Sequence, residues 1–75
     1  MNLADDERAA LGMLAASVRG RTESIMLAHG FAIGMLRGLV RDGLATAVQP
    51  AYYNRRAVLV TTMRITDAGR KALDG

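Results

Sequence analysis

The chain has 75 residues, which is enough for one domain (1–75), and it contains no cysteine that could form a disulfide or bind zinc as a thiolate. Hydrophobic residues make up 51% of the chain, the net charge is +3, and no apolar run approaches the roughly 18 residues of a membrane span. These values exclude a disulfide-stapled scaffold and argue against a membrane partner. Asp5, Asp6 and Glu7 stand where a signal peptide carries basic residues, so we expect a cytoplasmic protein. Such apolar content in so short a chain predicts a homodimer.

Positive charge is concentrated in the middle of the sequence. Between residues 8 and 66, eight arginines face only two acids, Glu23 and Asp42, which gives this stretch a charge of +6. Arginine forms bidentate hydrogen bonds with phosphates and base edges, so the pattern favours a nucleic-acid partner. The alternative is a solvated basic surface without a specific partner.

The first predicted helix covers 4–18. Leu11, Leu14, Ala15 and Val18 follow the spacing of one apolar face, and acids in the first turn suit the helix dipole. Gly20 is the expected end of this segment, since glycine accepts the left-handed conformation that often follows a helix.

Two shorter helices are predicted next. Residues 22–29 form the first of them, with Thr22 as N-cap and Gly30 as the terminating residue. Residues 32–42 form the second, which Gly43 terminates. Its predicted buried face consists of Ile33, Leu36, Leu39 and Val40.

The other face of the third helix is unusual because it contains two interior glycines. Gly34, Arg37, Gly38 and Arg41 share this face, although an interior glycine costs about 1 kcal/mol relative to alanine. Three interpretations are open: the bare backbone approaches DNA, it packs against another protein, or it packs against a helix of the same chain.

The residue pattern then changes to strands. Segments 45–50 and 57–65 are rich in Val, Thr and Ile, and the loop between them contains Asn54, which predicts a β-hairpin. Tyr52, Tyr53, Arg55 and Arg56 lie at its tip, where they suit a nucleic-acid contact, a protein contact or simple cover of the core edge. Thr66 is the expected N-cap of a last helix over 67–73.

Three segments carry a resemblance to a known family. "LVRDGLA" (39–45), "NRRAVLV" (54–60) and "RITDAGRKAL" (64–73) resemble, in order and spacing, the winged helix-turn-helix regulators of the MarR and PadR type. The likeness covers about residues 22–73. It implies a small α+β domain of bacterial type with three helices, a two-stranded hairpin wing and a short C-terminal helix.

The resemblance also implies a function, which is binding of double-stranded DNA as a transcriptional regulator or accessory factor. Residues 31–37 would face the major groove, the wing arginines would reach a phosphate or the minor groove, and the second helix would begin at a phosphate. Together with the glycine face, the expected DNA-binding residues are Thr22, Phe31, Gly34, Arg37, Gly38, Arg41, Arg55 and Arg56.

The leading turns of the third helix favour an alternative. No polar side chain lies between Phe31 and Leu36, so the helix is also suited to a docking or dimerisation module that does not read DNA sequence.

Little in the sequence points to chemistry. His29 is the only histidine and has no partner nearby for catalysis or metal binding, and the methionines suit packing. No nucleophile motif and no glycine-rich phosphate loop is present. We therefore expect neither an enzyme nor a cofactor or metal site.

Overall fold

The computed structural model describes residues 3–49 and 61–74, which form a small α+β fold. Its elements, in chain order, are α1 (Asp5–Ala15), β1 (Arg21–Thr22), α2 (Glu23–Ala28), α3 (Ile33–Arg41), β2 (Ala45–Val48), β3 (Thr62–Ile65) and α4 (Asp67–Asp74). The predicted hairpin tip and residues 57–60 lie outside the described residues. In the described part, no helix is long and apolar enough to cross a membrane.

The three strands form one antiparallel sheet in the order β1-β3-β2. The predicted pairing of the last two strands is confirmed, with Ala45 opposite Ile65 and Val48 opposite Thr62. The strand β1 was not predicted. It pairs Arg21 with Met63 and Thr22 with Thr62, and a hydrogen bond from the Glu23 amide to the Thr61 carbonyl (2.8 Å) continues the contact into α2.

The helix α1 ends earlier than the predicted range of 4–18. A turn follows, in which the Ser17 hydroxyl donates to the Gly20 carbonyl (2.8 Å) and the Gly20 amide donates to the Ser17 carbonyl (3.1 Å). This turn directs the chain into β1. As a result Val18, predicted to lie on the apolar face, is 91% exposed.

The core is formed where α1 and α3 meet the inner face of the sheet. The largest fully buried side chains are Leu11, Leu14, Met26, Leu36, Leu39 and Met63. Of the predicted buried face of α3, Leu36 and Leu39 are confirmed as buried. Ile33 and Val40 are only half-buried, because they border a surface groove described below.

Helix α4 closes the fold beside α1 and the end of α3. Thr66 is its N-cap, as predicted, since its hydroxyl accepts a hydrogen bond from the Gly69 amide at 3.0 Å. Gly69 is buried against the backbone of Leu44, and a Cβ at this position would collide with the Leu44 carbonyl oxygen. Arg8 ties α1 to α4 by donating from Nη1 to the Leu73 carbonyl at 3.0 Å.

The turns on both sides of α3 follow the sequence-based expectation. Gly30 and Gly43 have φ angles of 94° and 78°, which places both in the left-handed region that glycine occupies without strain. The turn at Gly30 is short, so α3 begins only a few residues after α2 ends. The turn at Gly43 leads directly into β2.

Candidate functional site

The outer face of α3, which we define as Gly34, Arg37, Gly38 and Arg41, is open to solvent. Gly34, Arg37 and Arg41 are exposed and Gly38 is half-buried. A Cβ at Gly34 would meet no atom within 4 Å, and a Cβ at Gly38 would meet only Nη2 of Arg41, at 3.8 Å. The two interior glycines therefore do not accommodate another element among the described residues, which disfavours the interpretation of packing within one chain.

A comparison with two other helical glycines, Gly69 and Gly12, shows which property distinguishes the outer face of α3. Gly69 is required by a close backbone approach inside the fold, whereas Gly12 of α1 is exposed and as open as Gly34. An open helical glycine alone therefore does not mark a contact. The distinguishing feature of α3 is that its glycines alternate with two exposed arginines.

Both arginines of the outer face are available to an external anion. The side chain of Arg41 is 81% exposed, and its Nε lies 3.7 Å from Oδ1 of Asp42, which is 44% exposed. An ion pair so accessible to water contributes little and is readily exchanged. Arg37 is exposed and, within the described residues, takes part in no ion pair.

The first turn of α3 has no side-chain cap among the described residues. Ala32 is the N-cap, and its methyl group cannot accept a hydrogen bond from the first amides of the helix. Gly34 leaves the backbone bare one turn before Gly38.

Phe31, which was expected to face DNA, is half-buried, and its side chain packs against the core. Its backbone amide donates to the Met26 carbonyl at 3.3 Å. Much of the Phe31 side chain is therefore used in packing.

A groove of about 220 Å³ runs along one flank of α3, between the helix and the inner face of the sheet. Buried Leu36 and Met63 contribute to it, and among the described residues Glu23 and Arg37 are the charged ones that line it. The rest of the lining is Ile33, Val40 and Ala47. Arg37 thus borders both the outer face of α3 and this groove.

Thr22 lies apart from α3, at the junction of β1 and α2. Its Oγ1 accepts a hydrogen bond from the Ile25 amide at 3.2 Å, which confirms the predicted cap, and within the part of the chain that the structure describes its hydroxyl donates to no other group. Next to it, Arg21 is exposed at the edge of the sheet. Sequence reasoning gave Arg21 no role because the strand that positions it was not predicted.

The remaining candidate residues are quickly placed. Arg55 and Arg56 lie outside the described residues. His29 is exposed at the C-terminus of α2. Over 3–49 and 61–74, no three side chains of the kinds that bind metal come together.

We compared the chain with known protein families, with curated proteins and with solved structures, and none of them matched.

Proposed function

We propose that the protein binds double-stranded DNA as a small winged-helix domain and acts as a transcriptional regulator or accessory factor. The observation that carries this proposal is the outer face of α3, where two helical glycines with open space above them alternate with two exposed arginines. A bare backbone allows close approach, and guanidinium groups form the strong charge-assisted hydrogen bonds that phosphates accept.

The order of elements supports the winged-helix part of the proposal. Two helices separated by a tight turn, α2 and α3, precede two antiparallel strands, β2 and β3, and the short β1 pairs with β3. In a helix-turn-helix the second helix enters the major groove, and here that helix is α3. The resemblance of 39–45 and 64–73 to the MarR and PadR regulators adds to this argument.

The mechanism that we propose is largely electrostatic. The outer face of α3 has two guanidinium groups and no polar side chain of the kind that reads bases before Arg37. Contacts to phosphates position a protein but carry no sequence information. We therefore expect strong dependence on salt and weak preference among duplex sequences.

A fluorescence-anisotropy titration of a labelled mixed-sequence duplex tests the proposal. We expect binding at micromolar protein near 100 mM salt, where the Debye length is about 10 Å. The logarithm of the affinity should fall with the logarithm of the salt concentration by about 0.9 for each phosphate contacted. An Arg55→Ala, Arg56→Ala double variant should bind more weakly. Absence of binding in the parent, or a double variant that binds equally well, contradicts the proposal.

The same open face supports a second candidate, a docking module that contacts another protein. Small residues four apart let two helices approach closely, and the leading turn of α3 is apolar. Gly38→Leu separates the candidates when its solution mass and its duplex affinity are measured together. Loss of a complex with unchanged DNA binding favours docking, and loss of DNA binding at unchanged mass favours the DNA interface.

A further inference from the structure

The strand β2 is an edge of the sheet that lacks the usual protection. It pairs with β3 on one side, and no strand within the described part of the chain pairs with its other side. Every second residue of such a strand directs its amide and carbonyl groups away from the sheet. Thr46, Ala47 and Val48 are all exposed, and Val48 is 61% exposed.

Natural proteins discourage pairing at such edges with charged side chains, proline, bulges or very short strands. None of these devices occurs in Ala45–Val48. The residues are uncharged, and the four pairs with β3 follow one another without a bulge. The opposite edge differs, because β1 is two residues long, includes Arg21, and continues directly into α2.

We propose that β2 pairs with β2 of a second copy of this chain, in antiparallel orientation, so that two three-stranded sheets join into one of six strands. A twofold axis perpendicular to the sheet places equivalent residues on the same face of both copies. Ala45 is buried, so the exposed stretch 46–49 must supply the contact. A register centred on Ala47 places Ala47 opposite its own copy and Thr46 opposite Val48 of the other.

Self-complementarity is the reason to choose a second copy as the occupant. Any charge at the centre of this edge would face the same charge across the axis, and β2 carries none although 23% of the chain is charged. The groove beside Ala47 is lined by one acid, Glu23, and one base, Arg37, and exposed Arg64 stands on the other face, next to Thr46 on β3. These charges lie beside β2 and not on it. The small side chain of Ala47 allows the two backbones to approach.

A charge-exchange experiment tests both the interface and its axis. Sedimentation equilibrium of the parent should give a mass that rises with micromolar concentration from 8.0 kDa towards twice that value. Ala47→Lys and Ala47→Glu each place like charges opposite one another, so each variant alone should remain a monomer. An equimolar mixture of the two should regain the dimer, because opposite charges then meet across the axis.

Val18→Lys is the matched control, since Val18 is exposed in the α1–β1 turn and lies outside β2. It should dimerise like the parent. Circular dichroism establishes that all variants keep the fold. A parent that stays monomeric throughout, single variants that still dimerise, or a mixture that remains monomeric would each overturn the proposal. None of these outcomes depends on DNA binding.

Discussion

The hydroxyl of Thr66 donates a hydrogen bond to the carbonyl oxygen of Gly43 at 2.6 Å while it accepts one from the Gly69 amide at 3.0 Å. One side chain therefore caps α4 and fastens it to the turn that ends α3. The Thr66 amide strengthens the connection through a hydrogen bond to the Leu44 carbonyl at 3.1 Å.

Thr66→Val should lower the free energy of unfolding by about 2 kcal/mol, because a cap and a second hydrogen bond are each worth about 1 kcal/mol. For a domain of this size the melting temperature should fall by roughly 8–16 °C. Thr66→Ser should recover most of the loss. Thr62→Val is the control, since the Thr62 hydroxyl forms no hydrogen bond within the described residues and Thr62 lies on β3, outside the edge strand β2. Equal melting temperatures for Thr66→Val and Thr62→Val would contradict the double role of Thr66.

Gly69→Ala should destabilise the protein by about 1–3 kcal/mol, as overpacking of a tight contact does. The added methyl group would collide with the Leu44 carbonyl and lie 2.7 Å from Cγ1 of Ile65. Gly12→Ala is the matched control, because a Cβ at Gly12 meets nothing within 4 Å. Urea denaturation of both variants should show opposite shifts of the midpoint, and a stabilised Gly69→Ala would refute the close approach.

Gly34→Ala and Gly38→Ala should each raise the free energy of unfolding by about 0.5–1 kcal/mol, because alanine is the better helix former and has room at both positions. If the outer face of α3 approaches DNA, the same variants should bind a duplex more weakly, by roughly tenfold or about 1.4 kcal/mol. Gly12→Ala should gain similar stability and keep its affinity. Unchanged duplex binding by both α3 variants would show that no backbone approach occurs there.

Arg37→Ala and Arg41→Ala should each reduce the steepness of the salt dependence by about 0.9, the share of one phosphate contact. Arg70→Ala removes the same charge from an exposed position on α4, outside this face, and should leave the slope nearly unchanged. Affinities are measured by anisotropy over a range of salt concentrations. Equal slopes for all three variants would indicate a diffuse charge effect instead of a site.

The parts of the fold that sequence reasoning predicted are those with a strong periodic signal. The bounds of α3 agree with 32–42 to one residue at each end, since its apolar spacing is regular and glycines flank it. The strand β1 was missed because two residues carry no period, and its existence depends on Thr62 and Met63, some 40 positions later. The predicted end of α1 was wrong because the Ser17–Gly20 turn competes with further helix.

The candidate site was predictable in composition but not in exposure. Helical spacing was enough to place Gly34, Arg37, Gly38 and Arg41 on one face. Whether another element of the chain covers this face depends on tertiary packing, which local spacing does not encode. The same limit applies to Gly69, which looks like an ordinary helical glycine in the sequence and lies against the Leu44 backbone in the fold.

The position of β3 between β1 and β2 has a consequence for how the chain folds during its synthesis on the ribosome. The strand on which the other two pair is made after three of the four helices. Until Met63 emerges, Leu11 and Leu14 of α1 lack a surface that they cover in the finished fold. We therefore expect the nascent chain to stay open through most of translation, and to close in a single late step when 62–74 arrives.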